Sequence, residues 1–164
     1  MTTSLRQNIC DLSLGTLASD VESSQISEYI LAHIQYACNY WVQHLKSGNV
    51  KPHDNGLEHQ FLTVHLLHWF EAMAWTSSIP DAVLAINDLS TYLSHGTAGE
   101  ATKLRTLVED ARRFLLKFRT IIEVAPLQVY TCCTVFSPTA SIMRTVFANQ
   151  SFEPLPRLVV EEEE

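Results

Sequence analysis

Glycine and proline are scarce: the 164 residues hold five of one and six of the other. They fall between periodic segments, and Asn55-Gly56 leads into a helical pattern rather than joining two alternating runs. Hairpins and sheets are thereby disfavoured. Charge is scarce too, at 18% of residues, where roughly a quarter is usual. Of the net charge of −7, four units sit in Glu161–Glu164, which leaves a body near −3. That body has no basic field to hold nucleic acid, and the four glutamates read as a solvated, disordered end. No apolar run approaches the roughly 18 residues needed to span a bilayer, and no charged-then-apolar leader opens the chain. Cys10, Cys38, Cys132 and Cys133 lack zinc spacing, and adjacent cysteines rarely bridge. A reduced, cytoplasmic protein is the expectation, with the cysteines as small core residues.

Catalytic signatures are missing as well. The sequence contains no P-loop, no nucleophile-elbow serine motif and no HExxH zinc motif. Neither an enzyme nor a cofactor-binding protein is expected, and no small-molecule substrate follows.

Helical periodicity is what the chain does have. A helix is expected over Gln25–Lys46, with Ile30, Ile34, Ala37, Cys38, Trp41 and Leu45 on one face. Gly48 and Pro52 supply its stop. The next spans Leu57–Trp75, and a third begins near Pro80 and carries Val83, Ile86, Leu89 and Leu93. The clearest runs over Glu100–Val124, where Leu104, Leu107, Val108, Ala111, Phe114, Leu115, Phe118 and Ile121 form a stripe. Arg105, Glu109, Arg112 and Arg113 occupy its other side. Pro126 should start a helix through Phe136, and Pro138 precedes a last short one. The expected fold is all-α, a single domain of six or seven mostly antiparallel helices in a bundle or short solenoid-like array. Residues 1–150 form the helical domain, and residues 151–164 an extended acidic tail.

The segment "GLEHQFLTVHLLHWFEAMAW" (56–75) raises a chemical question, because three histidines fall within ten positions. At about 100° per residue, Phe61, Val64, His68, Ala72 and Trp75 share a stripe, His65 lies beside it, and His59 falls opposite. Those three imidazoles cannot meet one metal. His65 and His68 could supply two ligands with Glu71 a turn further on, but a third or fourth group from another helix has no signal. The better reading is a central helix, apolar on two sides, with His68 a hydrogen-bonded core residue. Trp41, Phe61, Trp69, Phe114 and Phe118 are the other expected core residues. "ARRFLLKFR" (111–119) mixes Arg112, Arg113, Lys117 and Arg119 with aromatics; with Phe114 and Phe118 in the buried stripe, a solvated face or protein-docking patch is favoured over nucleic-acid binding.

Several strings stand together in order: "GTL" (15–17), "QYACNYWVQHL" (35–45), "DNGLEHQFLTVHLLHWFEAMAW" (54–75), "DARRFLLKFRTIIEVAPLQVY" (110–130) and "VFSPTASIMRTVF" (135–147). They resemble the helical region of fungal NACHT–WD-repeat proteins, the STAND or NLR-like family that includes heterokaryon-incompatibility proteins. The resemblance covers about residues 5–150. It implies a non-catalytic module between a NACHT NTPase with its winged helix and a WD-repeat propeller, working through protein partners: those adjacent modules, or related receptors. No nucleotide-binding residue carries over. The family has a proline pair before the "QYAC" helix where this chain has Ile30-Leu31-Ala32-His33, so that helix is expected to begin a turn or two earlier. A free-standing helical adaptor or decoy that binds related receptors is the alternative reading.

Overall fold

The computed structural model describes residues 2–96 and 99–152. Among them are seven α-helices and no strand, so the fold is all-α as the periodicity requires. The helices are α1 (Ser23–Tyr29), α2 (Ala32–Ser47), α3 (Leu57–Trp75), α4 (Ile79–Ser94), α5 (Thr102–Val124), α6 (Gln128–Thr131) and α7 (Ile142–Val146). Residues 151–152 follow the last turn, and the rest of the expected acidic tail lies outside the described residues.

The helix expected over Gln25–Lys46 is two helices. The chain leaves the helical region at Ile30 (φ −109°, ψ 84°) and Leu31 (ψ 154°). No proline is needed for this break. Ile30 drops its side chain fully into the core, and its carbonyl accepts from the Gln35 side chain at 2.7 Å. The Leu31 carbonyl starts α2 by accepting from Ile34 and Gln35. Burial of one isoleucine and reassignment of one carbonyl thus substitute for a helix-breaking residue.

The segment after Pro126 also departs from expectation. Only Gln128–Thr131 is α-helical, and Cys132–Phe136 continues as a π-helical turn. Such wide turns appear in short pieces where packing sets the pitch. Here Cys132, Cys133 and Thr134 are all buried.

α3 is the centre of the molecule and packs against α2, α4, α5 and α6. From Leu66 to Trp75 every residue is buried, as expected of a helix enclosed by neighbours. Its first half is different. Val64, expected on the inner stripe, is 50% exposed, whereas His59, expected outside, is buried. His59 is drawn inward by the turn before α3, where its Nδ1 accepts the Asn55 N–H at 2.9 Å.

Around α3 the long helices follow the apolar stripes closely. Trp69 is fully buried and its indole N–H donates to the Cys38 carbonyl at 2.9 Å, tying α3 to α2. Trp41, partly buried, sits edge-on against both Phe61 and Trp69. Phe114 and Phe118 are buried in α5, and Phe114 stacks on Phe70 of α3. The last inward position of α5 belongs to Ile122, not Ile121, which is exposed.

The start of α5 has no local cap, since Ala101 occupies the cap position. Asp54 supplies one from the α2–α3 loop. Its two carboxylate oxygens accept the N–H groups of Lys103 (3.0 Å) and Leu104 (2.9 Å). First-turn N–H groups lack helical partners, and an acid there also meets the positive end of the helix dipole.

Candidate functional site

The polar residues of α3 lead to one end of the bundle. Glu71 stands in the fully buried run "WFEAMAW" and is 0% exposed. A carboxylate in such a place is costly unless hydrogen bonds compensate it. Four donors do so. Oε1 accepts the Ile9 N–H (2.9 Å) and the Trp75 indole N–H (3.3 Å). Oε2 accepts the Asn8 N–H (2.9 Å) and the Tyr130 hydroxyl (2.5 Å). Glu71 therefore joins three parts of the chain: the amino-terminal segment, α3 and α6.

The amino-terminal segment is shaped for this contact. Asn8 takes a left-handed conformation (φ 51°), which turns the successive N–H groups of Asn8 and Ile9 toward one anion. The turn is held by its own side chains. The Asn8 side chain both donates to the Leu12 carbonyl (2.9 Å) and accepts from the Leu12 N–H (3.0 Å). Arg6 pairs with Asp11 at 2.9 Å and donates to the Asn8 and Ile9 carbonyls. Leu5, Ile9 and Cys10 are buried beneath.

Burial pushes the Glu71 carboxyl above its ordinary pKa, and the four hydrogen bonds pull the other way. Burial, followed by the Glu71 charge, raises the Tyr130 phenol well above its ordinary value. Burial also raises the Cys10 thiol to about 12, with Glu71 adding to the effect. Cys38 and Cys132 rise to about 11 and Cys133 to about 12, each mainly through burial. All four cysteines are free thiols and protonated at neutral pH, which makes them poor nucleophiles and poor metal ligands.

The histidines take separate places. His65 and His68 approach through their Nδ1 atoms at 3.1 Å, so one ring donates and the other accepts. His65 stacks on Phe61, and His68 lies near the Tyr130 ring. Burial, then the neighbouring His65, pushes His68 down to about 4. Burial also lowers His65, with a hydrogen bond to the Leu5 backbone opposing. Glu71 is committed to its four donors and makes no hydrogen bond to either ring. Among the described residues no three His, Cys, Asp or Glu side chains are placed to hold a metal ion. His59 is apart from this group: its Nδ1 accepts the Asn55 N–H at 2.9 Å and closes the turn before α3.

The sequence reading weighed Glu71 only beside His65 and His68, as a metal set it set aside, and Tyr130, Asn8 and Ile9 were not among its candidates. A signal was present, since an acid inside an unbroken apolar helix demands buried donors from elsewhere. The basic face of α5 is exposed at Arg113, Lys117 and Arg119, while Glu109 accepts from Arg112 (2.8 Å) and lies 3.3 Å from Arg113. Among the described residues no helix is long and apolar enough to cross a membrane.

No protein-family profile and no solved structure matches the chain. Among curated proteins, vegetative incompatibility protein HET-E-1 of Podospora anserina is 38% identical over 128 residues, which is 73% of this chain. The chain spans 9% of the length of that protein. By this similarity the chain is a relative of one segment of a fungal vegetative incompatibility protein.

Proposed function

We propose that the chain is a non-catalytic helical linker and regulatory module of a fungal NLR-like signalling NTPase. It couples a NACHT nucleotide-binding module to a WD-repeat sensor by docking against both. The observation that carries this reading is the 38% identity to a short segment of a much longer incompatibility protein. A segment occupying so small a share of its relative works through the modules beside it.

The surface supports docking as the mode of action. Tyr36 and Tyr40 project from α2 with ring centroids 4.8 Å apart, and Leu84 of α4 is 65% exposed. Tyr40 and Leu84 line one groove between α2 and α4, together with Asn39, whose buried Oδ1 has no hydrogen-bond partner. Exposed apolar side chains along such a groove suit a protein neighbour.

The test is a chimera in which this chain replaces the matching segment of HET-E-1. Retention of the incompatibility reaction is expected. A chimera that accumulates normally but gives no reaction overturns the reading, as does tight nucleotide binding by the isolated chain.

A further inference from the structure

We propose that Glu71 is the centre of a latch joining the amino-terminal strap (residues 5–12) to the carboxy-terminal segment (residues 147–152), so that the two open and close as one unit. Its use as a transmission device rests on the proposed function, whereas the latch itself is a property of this chain alone.

The two segments meet directly. The Gln7 side chain donates to the Gln150 carbonyl at 2.8 Å, across a separation of 143 residues. Gln150 in turn donates from its side chain to the Val64 carbonyl of α3 at 3.0 Å. Tyr130 connects both sides: its hydroxyl is bound to Glu71, and its ring takes Phe152 edge-on at 5.1 Å. Just before this segment, Phe147 is fully buried. The strap and the segment thus meet directly at Gln7 and Gln150, and are joined a second time through Glu71, Tyr130 and Phe152.

Cooperativity follows from the buried charge. The strap is a preformed loop, closed by Arg6–Asp11 and Asn8–Leu12, so it can leave without unravelling. Its departure removes two of the four donors from a carboxylate that is 0% exposed. A buried charge left half-compensated is unstable, and water must enter to reach it. The Tyr130 hydroxyl, bound to the same carboxylate, then loses its fixed partner, and Phe152 rests on the Tyr130 ring. Displacement of the segment does the same in reverse, because coupling between two groups is reciprocal. In a protein with a module on each side, movement of the strap would therefore be felt at residues 147–152 without passing through α4 and α5.

Residue-resolved hydrogen exchange on the full chain tests this. The Asn8 and Ile9 amides bind Glu71, while the Phe147 and Gln150 amides bind the Met143 and Phe147 carbonyls. All four should exchange through one opening of lower free energy than the amides of α3, α4 and α5. Asp11→Asn loosens the strap from its exposed side and touches nothing in residues 147–152. It should speed all four amides by one common factor of about two to five. Tyr130→Phe acts from the other side and should speed the same four by about tenfold or more. Separate responses, with Asn8 and Ile9 accelerated while Phe147 and Gln150 hold, would show two independent anchors and end the proposal. Exchange of all four only together with α3–α5 would end it as well. Loss of activity in the chimera leaves these amides unaffected, so failure of the latch and failure of the functional reading are distinguishable.

Discussion

The Tyr130 hydroxyl donates to Glu71 Oε2 at 2.5 Å, although 59 residues separate them in the chain. It ties the central helix to the segment after Pro126. Removing only the hydroxyl leaves the ring packed on Phe152, so Tyr130→Phe should cost about 1.5–3 kcal/mol in urea denaturation, as for a hydrogen bond to a charged group. Glu71→Ala strands four donors at once and should cost more, about 3–5 kcal/mol. Equal costs for the two would show that the carboxylate carries no burden beyond Tyr130.

His59 is not the neutral surface position that helical phase alone assigns to it. It is buried, and because a backbone N–H can only donate, its Nδ1 must be the acceptor for Asn55. His59→Ala should lower stability by about 1–2 kcal/mol through the lost bond and lost contacts. An unchanged urea midpoint would return the position to the surface.

Asp54 caps α5 from another loop, and its carboxyl is held below the ordinary value by the Leu104 and Lys103 N–H groups, the first having the larger effect. A depressed carboxyl pKa contributes stability above the unfolded value, near 4, and that contribution fades as pH falls through the folded value. Asp54→Ala should lower the melting temperature by a few degrees at pH 7, and Asp54→Asn by less. The difference between wild type and Asp54→Ala should narrow below about pH 4. A difference that persists there would mean that the charge plays no part.

His68, within the central helix, adds a pH dependence of its own. Its pKa in the fold, about 4, lies below the unfolded value of 6.5, so the unfolded chain binds the proton more tightly. The neutral ring is therefore fully favourable above pH 6.5, and stability falls as pH drops from 6.5 toward 4. The slope from one such group is at most about 1.4 kcal/mol per pH unit. His65 works in the same sense, while Glu71, with a raised pKa, works against both. A His68→Gln variant should show a shallower decline over this window in urea midpoints. Parallel curves would assign the decline to other groups.

Much of the fold could be read from the sequence because helical periodicity is local. α3 has its expected bounds, and the stripe of α5 is correct up to Phe118. Its final place belongs to Ile122, which lies five full turns after Leu104 and so directly on the stripe, whereas Ile121 lies about 100° to one side. The break at Ile30 could not be read in the same way. No proline or glycine marks it, and its cause is the fit of one isoleucine and one carbonyl into surroundings built by other helices.

The candidate site divides along the same line. Composition and pattern determined that the chain is all-α, that α3 is its enclosed helix, and that Glu71 and His68 stand inside an apolar run. Which groups answer Glu71 was decided only in three dimensions. Its donors come from residues 8, 9, 75 and 130, and three of these four are far from it in the chain. Periodicity tells which residues leave water, since burial of an apolar side chain is nearly indifferent to the identity of its neighbour. A buried carboxylate has no such latitude: its hydrogen bonds need particular donors at particular distances and angles, and only the assembled fold brings them together.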